Sequence, residues 1–239
     1  MTMIRRHNQS AICMHWFNAL CWLFLLGSGF ALLAGEMQPI GAWWSELWVG
    51  IFGEAGLLVA HIAIGSLWAG IYALYTPLFL RRDVLPFLRE IFAVSLRCDL
   101  IWCIRKAFWL VMGASGMRKI GMQTQLPAQG FYNAGQKFVA IAAIICSISL
   151  VVTGLLLAFS VMQQGLEALV RWALLLHLCC AGLMAILLPV HIYMAACAPG
   201  ERPALISMLT GFVPEDFAKH HNPLWHASLV EKAGEHNRH

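Results

Sequence analysis

Four stretches of this chain stay apolar for longer than the helix of a soluble domain requires. They cover roughly 12–34, 55–80, 138–161 and 168–198. About 20 mostly apolar residues carry a helix across the hydrocarbon core of a bilayer. Each stretch is therefore expected to be a membrane-spanning helix, because a helix satisfies its own backbone in lipid. Pro77 closes the second just before Arg81-Arg82, while the fourth has Arg171 near one end and Pro189 inside. A fifth candidate, 90–117, is interrupted by Arg97, Asp99, Arg105 and Lys106, and its clean run 107–117 is too short. It is expected to be an amphipathic helix lying on the membrane or on a partner. The fold class that follows is an all-α integral membrane protein, a four-transmembrane-helix bundle forming one domain over 1–239.

Composition agrees. Of 239 residues, 60% are hydrophobic and 12% charged, and the mean hydropathy is +0.70. Soluble chains run about 45–50% apolar and about 25% charged. Disorder is excluded by the same numbers, and no fixed-period repeat points to a solenoid. Ten Trp and thirteen Phe suit aromatic belts at the membrane interface.

The net charge of +4 would hint at nucleic acid if it were spread evenly. It is not. With both termini, the 81–132 loop and its continuation to Lys137, and the 199–239 tail on one side, that side holds fifteen of the sixteen basic residues. Only Arg171 lies opposite, beside Glu36, Glu46, Glu54 and Glu167 in short loops. The positive-inside rule then makes that loop, the tail and both termini cytoplasmic, in a multi-pass inner-membrane protein. Nucleic acid need not be invoked. Arg5-Arg6 before an apolar run resembles a secretory signal, but the run is too long and lacks a clear cleavage site, so the first span is read as retained.

Eight Cys occur, none in C-x-x-C or C-x-x-C-H spacing. This disfavours a zinc ribbon, a thioredoxin-type site, an iron–sulfur framework and covalent c-type haem. Most of these Cys read as small buried hydrophobes.

The spans carry four histidines: His15, His61, His177 and His191. Ionisable groups inside a span are functional candidates by default, although a single one is as readily a histidine bonded to a carbonyl. Their depths sharpen the reading. His15 and His191 lie near the cytoplasmic ends of their spans, and His61 and His177 lie near the opposite ends. His177 and His191 are fourteen residues apart, within roughly 40° of one helix face and about 21 Å along the axis. Two neutral imidazoles at one depth suit haem iron. A bare divalent ion would want carboxylates or thiolates, and no carboxylate is evident at these depths. Bis-His ligation leaves iron no open position, which fits electron transfer rather than oxygen activation. Two b-type haems are expected, one near each face. Gly56, Gly65, Gly182 and Ala185 are expected to let a macrocycle approach, or simply to pack helices. Pro189 is expected to tilt His191 or merely to kink the helix. A cofactor-free anchor, or a small transporter relaying protons through these histidines, is the rival reading; a transporter would favour broken helices and a midplane site.

Further marks are Arg6, His15-Trp16, the stretch LVAHIAIG around His61, and FYNAGQK at 131–137. LLLH ends at His177, PVHIYMA contains His191, and the tail reads PALISMLTGFVPEDFAKHHNPLW. On these the chain resembles the gamma subunit, the membrane cytochrome b, of respiratory formate dehydrogenase over most of its length. Cytochrome b subunits of hydrogenases and thiosulfate reductases are the wider family and the nearest alternative.

The resemblance implies that His15 and His191 ligate the inner haem, and His61 and His177 the outer. It implies a site for menaquinone or ubiquinone near the inner haem, formed by Asn133, Gly135, Gln136 and His191. It also implies an iron–sulfur (beta) subunit with its own membrane anchor, a periplasmic molybdenum or tungsten catalytic (alpha) subunit, and electron flow inward to quinone with charge separation. Independently, quinone reduction needs donors to its carbonyls, which an Asn amide and a backbone N–H supply. The plainer alternative is that Asn133 caps the third span. His220-His221 matches the family tail, implying a cap on the cytoplasmic haem face or proton delivery; plain solvation is the other reading. The 52-residue connection from Arg81 to Tyr132 is longer and more apolar than the family pattern. Its Trp102, Trp109 and basic residues are expected to cover the quinone mouth, dock a partner or meet anionic lipid.

Overall fold

The computed structural model describes residues 2–34, 41–160 and 166–236. Glu36, Val161 at the end of the third expected span, and Arg238 and His239 of the tail lie outside the described residues. The chain forms two compact units. One comprises Gln9–Leu80 and Ala143–Ile192, the other Met1–Asn8, Arg81–Ala142 and Tyr193–His239.

The first unit is built from four long helices. These are α1 (Gln9–Ala34), α3 (Glu54–Leu78), most of α6 (Ala134–Ser160) and α7 (Glu167–Ile192). Each begins within about a turn of an apolar run read from the sequence, and α3 and α7 end at Leu78 and Ile192, before their runs do. Pro77 ends α3 with Phe79 at its cap, and a π-type turn at Tyr193–Cys197 continues α7. The short α2 (Ala42–Phe52) lies in a connection expected to be plain loop. Trp44 donates its indole N–H to the Gly27 carbonyl at 2.9 Å, which lays α2 on α1.

Inside the unit a packed cluster joins Cys21 and Trp22 of α1, Trp68 of α3, Cys146 of α6, and Cys180 and Met184 of α7. Trp22 and Trp68 meet edge to face at 5.9 Å, and Trp68 donates to Asn18 Oδ1 at 2.9 Å. Outward the helices are apolar: Leu20 is 68% exposed, Ile148 62% and Ile186 67%. Large exposed apolar surface of this kind marks an interaction face, and on helices long enough to span, that face meets lipid. Backbone contact among the long helices concentrates on α1 and α3, with α2 against both, while α6 and α7 approach no other helix as closely.

The second unit holds α4 (Leu85–Phe92), α5 (Leu96–Lys119), the start of α6, and α8 (Arg202–Thr210), α9 (Glu215–His221) and α10 (Pro223–His236). Two short strands, β1 (Met3–Arg5) and β2 (Phe212–Pro214), pair antiparallel with Ile4 opposite Val213. Gly211, at φ 87°, terminates α8 in the left-handed conformation that glycine adopts without cost. Val213, Phe217 and Ala218 form a small core with Ile4, Ala204 and Trp225.

Five described helices are long and apolar enough to cross a membrane, one more than the four spans read from the sequence. The extra one is α5, whose hydropathy of 1.2 is below the 1.8 to 2.6 of the others. It is also interrupted at Gly113, where φ is 66° and ψ 175°.

Candidate functional site

In the first unit the four histidines meet in two pairs. The ring centroids of His15 on α1 and His191 on α7 are 6.2 Å apart, with planes inclined at 61°. Those of His61 on α3 and His177 on α7 are 6.5 Å apart, inclined at 64°. Imidazole nitrogens bind a first-row metal at about 2.0 Å, so two rings trans across one metal have centroids about 6.2–6.4 Å apart. Separations of this size would suit a metal held by both imidazoles of a pair. On α7, Cys180 and Met184 of the packed cluster lie between His177 and His191.

The His61–His177 pair is further organised by hydroxyls. Nδ1 of His61 lies 2.8 Å from Ser28 Oγ, and Nδ1 of His177 lies 2.8 Å from Thr153 Oγ1. Both hydroxyls already donate to backbone carbonyls: Ser28 to Leu25 at 3.3 Å and Thr153 to Ser149 at 2.7 Å. With its hydrogen committed, each hydroxyl accepts, so each imidazole carries its proton on Nδ1 and keeps the Nε2 lone pair for a ligand. A glycine follows each hydroxyl. A Cβ at Gly29 would sit 3.3 Å from His61 Cε1, and one at Gly154 would sit 3.3 Å from His177 Cε1.

The glycines singled out by helical spacing do not touch the histidine rings. The nearest neighbours of a Cβ at Gly56 and Gly65 are Phe52 and Leu25, and at Gly182 there are none. Helical spacing picks out small residues on the ligand's own helix. The close approach comes instead from a neighbouring helix.

In the second unit, three separate sequence marks converge. Arg6 donates to Asn222 Oδ1 at 3.1 Å and to the Phe131 carbonyl at 2.7 Å. Its guanidinium lies over the rings of Phe131 and Trp225 at 5.0 and 5.3 Å. Asn222 in turn donates to the Gly130 carbonyl at 2.6 Å. Arg6, the FYNAGQK stretch and the HNPLW tail are thus one hydrogen-bonded assembly. Burial pushes the Tyr132 phenol within it up to about 12, against the opposing pull of Arg6.

That assembly presents the start of α6. Asn133 Oδ1 accepts from the Gln136 N–H at 2.9 Å, and Gln136 Oε1 accepts from the Asn133 N–H at 3.0 Å. This reciprocal cap satisfies two otherwise unpaired groups. The expectation that Asn133 caps the helix therefore holds, yet both side-chain amide NH2 groups remain without a partner among the described residues. Gly135 packs against Trp102 of α5, where a Cβ would lie 3.3 Å from the indole.

Asn133 and Gln136 line a cavity of about 460 Å³, together with Trp102, Lys106, Trp109 and His221. The long connection between the second and third expected spans thus supplies walls of this cavity. Lys106 pairs with Glu201 at 3.6 Å and lies over Trp109. His221 stacks on Phe217 at 4.2 Å, and burial holds its imidazole below the ordinary range. It is neutral near pH 7 and able to accept a proton.

Comparison with known proteins identifies the family. The model of the prokaryotic cytochrome b561 family matches residues 6–211. The formate dehydrogenase cytochrome b556(fdo) subunit of Escherichia coli (strain K12) is 28% identical over 223 residues, covering 90% of this chain and 88% of that one. The formate dehydrogenase cytochrome b556 subunit of Haemophilus influenzae is 25% identical over 232 residues, covering 96% and 84%. The match takes in all four membrane histidines and the NAGQ stretch, and it implies b-type haem. A membrane-embedded helical protein whose matched region holds both histidine pairs belongs to the prokaryotic cytochrome b561 family.

Proposed function

We propose that this chain is the di-haem cytochrome b subunit of a formate dehydrogenase-type complex, carrying electrons through two b haems to a quinone. The observation that carries the reading is the pairing of four intramembrane histidines at two separations that each suit a metal between two imidazoles. Edge-to-face aromatic pairs also fall in this range of distance. Such contact alone would not explain two paired imidazoles at two depths. When bound, the haems supply reversible one-electron reduction.

The protein's own residues do the rest. His15 with His191, and His61 with His177, hold the two irons. The Trp22–Trp68 layer keeps the sites apart and dry. Asn133, Gln136 and the Gly135 N–H offer donors to quinone carbonyls, and neutral His221 offers a base at the cavity wall. Quinone reduction consumes protons, so placing this cavity on the cytoplasmic side would separate charge across the membrane.

The basic residues support four spans in the cytoplasmic membrane with both termini inside. α5 is then a surface helix. Its Asp99 pairs with Lys137 at the start of α6, and its Lys106 pairs with Glu201 beyond the end of α7. A helix crossing the bilayer would carry Lys106 into the hydrocarbon and away from groups at that face. An iron–sulfur subunit and a periplasmic catalytic subunit are the proposed partners, with formate as the electron donor.

A haem and metal inventory of the complex purified through this chain tests the proposal. About two b haems per copy are expected, with molybdenum or tungsten and iron–sulfur in the co-purified subunits. Nickel instead would point to a hydrogenase, and a colourless chain would end the haem reading.

A further inference from the structure

We propose that Ser28 and Thr153 are positioning residues that set the reduction potential of one haem only, the one assigned to His61 and His177. The inference rests on the proposed haem ligation.

The two hydroxyls stand in the same relation to their histidines. Each lies 2.8 Å from an Nδ1. Each is buried, Ser28 fully and Thr153 to 5% exposure. Each spends its own hydrogen on a carbonyl of its helix, so it faces the imidazole as an acceptor and cannot rotate into a donor without losing that bond. Each is followed by a glycine that brings the neighbouring helix against the ring. Two helices, α1 and α6, thus present the same hydroxyl–glycine pair to two ligands on α3 and α7. His15 and His191 have no such partner: among the described residues neither ring is hydrogen bonded to a side chain.

An acceptor on Nδ1–H increases the electron density that the opposite nitrogen gives to a metal. A more strongly donating ligand stabilises the oxidised iron over the reduced, and so lowers the potential. The acceptors here are neutral, so the effect is graded and smaller than a carboxylate would give. With both ligands of one haem so supported and neither ligand of the other, the two sites differ in potential by construction. The His61–His177 haem is the lower, which favours electron movement toward the His15–His191 site.

The experiment is a redox titration of the haem α-bands in the intact complex, for the wild type, Ser28→Ala, Thr153→Val and Thr153→Ser. Bands are assigned with His61→Ala, which removes one haem. A neutral hydrogen bond is worth about 0.5–1.5 kcal/mol net. Since only part of that differs between oxidation states, Ser28→Ala and Thr153→Val should each shift the reduction equilibrium of the assigned haem by about 2- to 5-fold toward the reduced form. The other haem should stay where it was, and Thr153→Ser should behave as wild type. Unchanged midpoints in both hydroxyl-deleted variants, or equal shifts of both haems, would overturn the inference while leaving the ligation intact. Two haems persisting in His61→Ala would instead overturn the ligation itself.

Discussion

Asn133 uses its side chain twice, and the two uses can be separated. Its oxygen caps α6, while its amide nitrogen is left for the cavity it lines. Asn133→Ala removes both, and should lower stability by about 1 kcal/mol as well as weaken quinone-analogue binding. Asn133→Asp keeps a good cap and removes only the donor. Its thermal unfolding should match wild type, while the affinity for a quinone analogue falls about tenfold, roughly one hydrogen bond. Both haems should remain in each variant; equal binding by Asn133→Asp and wild type would take the amide out of the quinone site. At this scale the sequence reveals the ligands better than what holds them. A histidine inside an apolar span stands out against its neighbours. Ser28 and Thr153 do not, because a hydroxyl in a span reads as bonded to its own helix, which each of them also is. Their second bond depends on which faces of two helices meet, and periodicity in one helix does not contain that. The recurrence of hydroxyl–glycine at 28–29 and 153–154 was the one signal available.

Among the elements, the four apolar runs were legible almost to the residue, because lipid enforces both length and apolarity. The expected 168–198 run appears as α7 followed by a π-type turn, a local adjustment that follows Pro189. Short helices were another matter. α2, α4 and α8 to α10 are fixed by tertiary packing rather than by propensity, and the β1–β2 pair joins segments from opposite ends of the chain. α5 is the instructive case. Its charges argued against a span from sequence, but not for what they do. Asp99 is 3% exposed, accepts from the Ser95 N–H at 2.9 Å, and meets Lys137 at 3.2 Å. Removing one partner of a buried ion pair typically costs about 3–5 kcal/mol, whereas replacing both with apolar groups is often neutral. Asp99→Asn or Lys137→Met should therefore lower the unfolding temperature of the purified protein clearly, and Asp99→Leu with Lys137→Met should recover most of the loss. Additive losses in the double variant would show that the pair is no unit. Topology is tested separately. Cysteines placed at Val94 and Met122, on either side of α5, should both react with a membrane-impermeant reagent from the cytoplasmic face only. Reaction from opposite faces would make α5 a fifth span.

For the molecule as a whole, the uneven backbone contact among the long helices carries a thermodynamic consequence. In a bundle without a hydrophobic driving force between helices, association depends on close packing and hydrogen bonds. α1 and α3 have the closest backbone contact, while α6 and α7 meet their neighbours through side chains, as at Thr153–His177. If haem fills the gaps, it supplies the missing contacts, and ligand binding adds directly to the stability of the folded state. The apo chain is then less a cytochrome awaiting its cofactor than an incompletely associated bundle. On α1 and α7 the cluster of Trp22, Cys180 and Met184 lies in sequence between the two sites, so each gap should fill independently. Two outcomes follow together. His15→Ala should leave about one haem per chain, still reducible, with a modest fall in thermal stability. A chain lacking all four histidines, or one made in haem-starved cells, should fail to accumulate in the membrane, since both gaps are then unsupported. Quantifying chain by immunoblot against haem by pyridine haemochrome checks both. Normal accumulation of the four-histidine variant would mean that helix contacts alone hold the bundle.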